Sequence, residues 1–224
     1  MLKKLLQKLL KIFGKTYTPD QNIPDKLIVS IFSRRLLMLL RGILNTRRKI
    51  FLGRGVKIYN KSNFKFGKGC TIENYTTIDC YAKNSIIFGD SVKIGSFSTI
   101  STTSHLSKYG LGLNIGNHSA IGEYSYFGCS GGVLIGNDVI MGQYISFHSE
   151  NHIFLDHTKL IREQGVISKG ISLGNNIWVG SKVTFLDGCI LGDNCVVAAG
   201  SVVKGEFSSN VIIGGIPAKV LKQL

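Results

Sequence analysis

From Leu173 onward the chain repeats every six residues without a slip. The successive blocks read LGNNIW, VGSKVT, FLDGCI, LGDNCV and VAAGSV, so that an aliphatic or aromatic residue leads at 173, 179, 185, 191, 197 and 203. The fifth place of each block is Ile177, Val183, Cys189, Cys195 and Ser201, small or aliphatic throughout. A helix repeats near 3.6 residues and an isolated strand by two, so a period of six excludes both as the organising unit. Upstream the same register returns in triplets led by Phe66, Phe88, Ile115 and Ile135, with weaker blocks at Leu52 and Ile58. Between triplets, insertions of 4, 9, 2, 20 and 0 residues all fall after the third block. A three-sided coil explains this: each lead residue points inward, like residues stack at ~4.8 Å per coil, and every extra residue leaves from one corner. Glycine or asparagine at the bends relieves the backbone. Each coil covers its neighbour's apolar face, and the two ends need caps.

Charge divides the chain. Residues 1–54 carry 13 Lys/Arg and 2 acids, out of 27 and 13 in the whole chain of 224 residues. Within them Leu2, Leu5, Leu6, Leu9, Leu10, Ile12 and Phe13 recur near helical spacing among lysines, which predicts a basic amphipathic helix. After a turn at Pro19–Pro24, a second helix is predicted from about Asp25 to Arg48. Two readings of this extension stay open. The helices cap the coil with solvated lysines, or they touch an anionic membrane surface, where each Lys/Arg contributes ~1 kcal/mol. Nucleic acid is disfavoured, because no interleaved aromatics or known binding motif accompany the charge. The longest apolar run, Leu27–Leu40, is cut by Arg34-Arg35, which argues against a transmembrane helix. No small-residue cleavage site follows the basic start, which argues against a signal peptide. Five cysteines, odd and sparse, fit reduced thiols in a cytosolic compartment better than a disulfide framework.

On these residues the chain resembles the left-handed parallel β-helix acyltransferases built from hexapeptide repeats. The likeness spans about residues 52–220. It is strongest at Ile145-Ser-Phe-His-Ser-Glu-Asn-His152, Asn176-Ile-Trp-Val-Gly-Ser181, Val197–Val203 and Gly215–Lys219. Within the family it looks most like the O-acetyltransferases of surface polysaccharide synthesis, akin to the galactoside and maltose acetyltransferases. The expected fold is therefore mainly β: a helical extension over 1–50, a left-handed parallel β-helix over 51–210 with a loop at 153–172, and a C-terminal cap over 211–224.

The chemistry implied is acetyl transfer from acetyl-CoA to a sugar hydroxyl, which needs a base, oxyanion donors and a slot for the pantetheine arm. His152 ends a third block just before the largest insertion, and imidazole suits a general base; the resemblance makes it the catalytic one. His105 holds the same place two coils earlier, while His118, His148 and His157 read as solvated or loop residues. The resemblance gives Trp178, the only tryptophan, a part in placing acetyl-CoA or the oxyanion, and gives the Ser181 amide the oxyanion. From the register, Trp178 is expected to face the side of the long insertion. Asp156, or else Glu150 or a backbone carbonyl, would orient His152. For coenzyme A the matching positions are Trp178, Ser181, Ala199, Gly200 and Lys222, with Lys204 displaced by one residue from the family's lysine. The asparagine that binds acceptor in the galactoside type has no counterpart near Tyr124–Ser130. No cysteine neighbours His152 in the register or has zinc spacing, which favours direct transfer without an acyl-cysteine or metal. The resemblance further implies a homotrimer with sites at subunit boundaries and a cytoplasmic enzyme, with peripheral contact at the membrane if the extension binds lipid. The rival readings are N-acetylation of an amino sugar or of serine, a γ-type carbonic anhydrase, whose histidine pattern is missing, and a non-catalytic β-helix scaffold.

Overall fold

The computed structural model describes residues 18–224 together with Gln7. The amphipathic helix expected over residues 2–15 otherwise lies outside the described residues. The second helix, α1, runs Asp25–Thr46, within two residues of expectation, and ends on Arg47 in a left-handed cap. It lies against the first strand, where Gly42 lets the backbones touch: a Cβ there would sit 1.7 Å from the Ile50 carbonyl oxygen. Arg41 donates to the Leu52 carbonyl oxygen, and Arg35 donates to Thr71 Oγ1 and lies over the Phe51 ring. One face of α1 thus caps the start of the coil.

Each turn of the coil lays one short strand on each of three sheets. The first sheet begins at Phe51–Leu52, the second at Lys57–Tyr59 and the third at Phe64–Phe66. They hold nine, seven and seven strands, parallel within the coil. The six-residue period is the length of one side of this prism. The lead residues form the interior, with Ile72, Ile94 and Val179 on the first sheet, Phe127, Phe147 and Phe185 on the second, and Phe88, Ile115 and Leu173 on the third, all buried. The rings of Phe127, Phe147 and Phe185 stack with centroids 4.8 Å apart, the strand spacing itself. Cys70, Cys80, Cys129, Cys189 and Cys195 are all free and buried. Burial pushes the Cys80 and Cys189 thiols up to about 12, so neither offers a thiolate nucleophile near neutral pH.

The three corners differ. Between the third and first sheets, side chains form a ladder: Asn117 Oδ1 accepts from the Asp90 amide, Asn137 Oδ1 from Asn117, and Asn175 Oδ1 from Asn137. Between the first and second sheets the left-handed residue is Tyr75, Phe97, Tyr124, Tyr144 and Lys182 in successive coils, with Gly200 below. These are not the glycines or asparagines expected. Their rings stack 5.0–5.4 Å apart and within 15° of parallel, which offsets the ~1–2 kcal/mol that a left-handed backbone costs a bulky residue. The third corner, between the second and third sheets, releases every insertion, as the spacing requires.

The coil runs further than residue 210. Val196↔Ile212 and Val197↔Ile213 remain in parallel register on the first sheet. The strand Ala218–Gln223 then folds back antiparallel and closes that edge.

Candidate functional site

The long insertion leaves the second sheet at Ser146–His148 and rejoins the prism at Ile171–Leu173. It is not an irregular loop. Asn151–His152 pairs antiparallel with Val166–Ile167, so the excursion is a β-ribbon and His152 stands exposed on its outgoing strand opposite Val166. Among the described residues no hydrogen bond holds the His152 ring.

Asp156 does not orient it. Its carboxylate accepts from the Thr158 amide and hydroxyl and pairs with Lys159 at 2.9 Å. Hydrogen bonds from Thr158 first, then Lys159, hold its pKa below the ordinary carboxylate value. Its own N–H donates to Gln164 Oε1, so Asp156 closes the ribbon's tip. Glu150 also turns elsewhere. Its Oε1 accepts from Ser104 Oγ and its Oε2 lies 3.9 Å from Lys108 Nζ, tying the ribbon to the shorter excursion after Thr99–Ser101. His105 sits in that shorter excursion, bonded to Ser107, and His148 bonds Ser146 Oγ on the outer second sheet.

The residue that anchors the ribbon is Asp187, which the sequence reading passed over. It is buried at the corner of the next coil. Its Oδ1 accepts from the Lys169 and Gly170 amides at 2.7 and 2.8 Å, and its Oδ2 lies 3.5 Å from Asn151 Nδ2. One carboxylate therefore grips the ribbon where it rejoins the prism and reaches the residue next to His152 where it leaves. The signal was present in FLDG, an acid at the corner position directly beneath a 20-residue insertion. Asp187→Ala strands two amides, at about 1–3 kcal/mol each if they stay dry. We expect limited proteolysis to cut the ribbon faster while the prism's melting changes little; a ribbon as resistant as before would refute the anchor.

The remaining candidates lie elsewhere on the prism. Trp178 is on the first sheet, paired with Ile140 and Val196 and 62% exposed. In a triangular section that sheet is opposite the corner carrying the ribbon, so the expectation that Trp178 faces the insertion's side is corrected. Block ends alternate among sheets, and only the third block's end meets the insertion corner. Lys222 follows on the same outward row, reached through Val196↔Ile212 and Ile212↔Lys222. Ser181, Ala199 and Gly200 line the adjoining corner. There Ser181 Oγ donates to Gln143 Oε1, the Ser181 carbonyl accepts from the Gly200 amide, and no atom lies within 4 Å of where a Gly200 Cβ would be. Lys204 separates from this group: it follows Val202–Val203 and stands exposed at the ribbon's corner.

The candidates thus form two half-sites. His152, with Lys204 lower on the same corner, occupies one edge. Trp178, Ser181, Ala199, Gly200 and Lys222 occupy the first sheet and its far corner. The second group combines an exposed indole, a corner left open at Gly200 and a lysine further along the same row. Among the described residues no cluster of His, Cys, Asp or Glu suits a metal ion.

Comparisons with known proteins agree with this architecture. Residues 170–205 match the model of the bacterial transferase hexapeptide, six repeats. Rv3034c of Mycobacterium tuberculosis, named as an acetyltransferase, is 28% identical over 180 residues, 79% of this chain and 51% of that one. WbbJ of Escherichia coli K12, named as a lipopolysaccharide biosynthesis O-acetyl transferase, is 26% identical over 166 residues, 70% of this chain and 81% of that one. The chain therefore spans about half the length of the first relative and four fifths of the second. The crystal structure of a hexapeptide-repeat acetyltransferase from Vibrio cholerae with acetyl coenzyme A is 19% identical, with a TM-score of 0.54 over 98% of this chain and 97% of that one. That likeness and the matched repeat make the prism a left-handed parallel β-helix, with residues 170–205 carrying the repeat of the bacterial hexapeptide transferases.

Proposed function

We propose that the protein is an acetyl-CoA-dependent O-acetyltransferase acting in the cytoplasm on a sugar hydroxyl of a surface glycan, through sites completed between copies of the chain. His152 takes the hydroxyl proton and the alkoxide attacks the thioester carbonyl. The oxyanion is held by the Ser181 amide, with Trp178 beside it. The C–S bond then breaks, and the coenzyme A thiolate leaves with the proton returned from the imidazolium. The observation that carries this reading is the separation of the two half-sites. One prism holds the base and the cofactor residues on opposite sides, so a neighbouring prism must bring its first sheet to the ribbon of this one. A cyclic trimer satisfies that demand three times. The names of the relatives, one of them in lipopolysaccharide biosynthesis, support a glycan as acceptor.

Co-expression tests the composite site. His152→Ala and Trp178→Ala chains, each impaired alone, assemble at random into mixed trimers in which one site of three has both wild-type residues. Counting the mixed assemblies, activity of roughly a quarter of wild type is expected to return. No recovery in verified mixed oligomers would place both residues in one protomer's site and refute the arrangement. The same assay against nucleotide sugars, glycan oligomers, amino sugars and serine, read by mass shift, separates ester from amide products. Transfer to amines alone would replace O-acetylation with N-acetylation.

A further inference from the structure

We propose that α1 docks the protein on an anionic lipid bilayer. The helix is apolar on two opposite sides. Ile28, Met38 and Gly42 are buried against the prism, with Arg35 beside them. At 100° per residue, Val29, Leu36, Leu40, Ile43 and Leu44 fall on the opposite side, and all are exposed, Leu44 by 82%. Five large aliphatic residues share this side, broken only by Ser33, and an exposed apolar stripe of this size marks a docking surface. The stripe is bounded by cations. Lys26 and Arg47 lie on the same side at its two ends, and Arg34 is exposed at its flank. Between Lys26 and Arg47 the helix has no acid. This is the pattern of a helix lying in a membrane interface, with apolar side chains among the acyl chains and cations at the headgroups.

Charge decides the occupant. Residues 1–54 carry a net +11, from 13 cations and 2 acids. A second copy would bring the same charge against itself, and the chain's own first 17 residues, with Lys3, Lys4, Lys8, Lys11 and Lys15, would add cations to a cationic rim. An anionic bilayer complements both the charge and the apolar stripe. The helix is not a span, since no described helix is long and apolar enough to cross a membrane. The docking does not depend on the acetyl-transfer reading.

Vesicle sedimentation of the full chain tests it. Binding is expected to vesicles containing phosphatidylglycerol, to weaken with salt, and to be much lower on phosphatidylcholine alone. Leu36→Glu with Leu40→Glu removes the centre of the stripe without touching the prism, and a loss of at least tenfold in vesicle affinity is expected. Lys26→Glu with Arg34→Glu should weaken binding and flatten its salt dependence. Transfer to a soluble sugar should be unaffected by either pair. Equal binding to both vesicle types, or none to either, would overturn the proposal. So would a leucine-pair variant that keeps its vesicle affinity but changes oligomer size, since the stripe would then be a contact between copies.

Discussion

His152→Ala is expected to lower acetyl transfer from acetyl-CoA by about 10²–10⁴-fold, the range a positioned general base supplies. The loss should fall on kcat, and the KM for acetyl-CoA should barely move. Apart from Lys204, the residues matched to the cofactor stand on the first sheet and its corner, away from the ribbon that carries His152 in the same prism. Folding should be untouched, because the ring is exposed and among the described residues no hydrogen bond holds it. Steady-state kinetics with a thermal melt on the same sample checks both halves. Turnover near wild type would remove His152 from the reaction. A large KM effect with intact kcat would instead mean that the ribbon binds substrate without acting as base.

The second large effect concerns the interior. Phe147 is fully buried between Phe127 and Phe185, with ring centroids 4.8 Å away on either side. Phe147→Ala removes the middle of a stack that cannot close, because strand hydrogen bonding fixes the spacing of the coils. The expected loss is about 3–5 kcal/mol, a large part of the ~5–15 kcal/mol that a domain has in total. Chemical denaturation measures it, with Ser146→Ala, one place earlier on the same strand and outward, as the control expected within about 0.5 kcal/mol. The ribbon springs from this strand, so the variant should also lose activity at temperatures where the wild type still works. A loss below about 1 kcal/mol would show that the coils repack around the gap.

How far the chain could be read in advance follows from what repeats. The lead residues 173, 179, 185, 191, 197 and 203 are all buried, because a side chain's inward direction is set locally by its place in a block. The corner of the insertions followed from counting residues, and α1 from its own periodicity. The aromatic column Tyr75, Phe97, Tyr124 and Tyr144 was not foreseen. A left-handed aromatic looks unfavourable in any single block, and only stacking across coils stabilises it. Asp187 was missed for a related reason: its partners Lys169 and Gly170 are 17–18 residues away in sequence and one coil away in space.

The six-residue period by itself determined that the chain is a prism, which side chains fill it, and which edge carries His152, since each of these depends only on position within a block. Tertiary structure alone decided that Trp178 and Lys222 share a row on the sheet opposite that edge, that Asp156 closes the ribbon's tip while Asp187 anchors its base, and that α1 caps the coil with one apolar face and leaves another bare. Those facts depend on which coil lies beside which. Stacking sums the lengths of every insertion before it, and no single block contains that information.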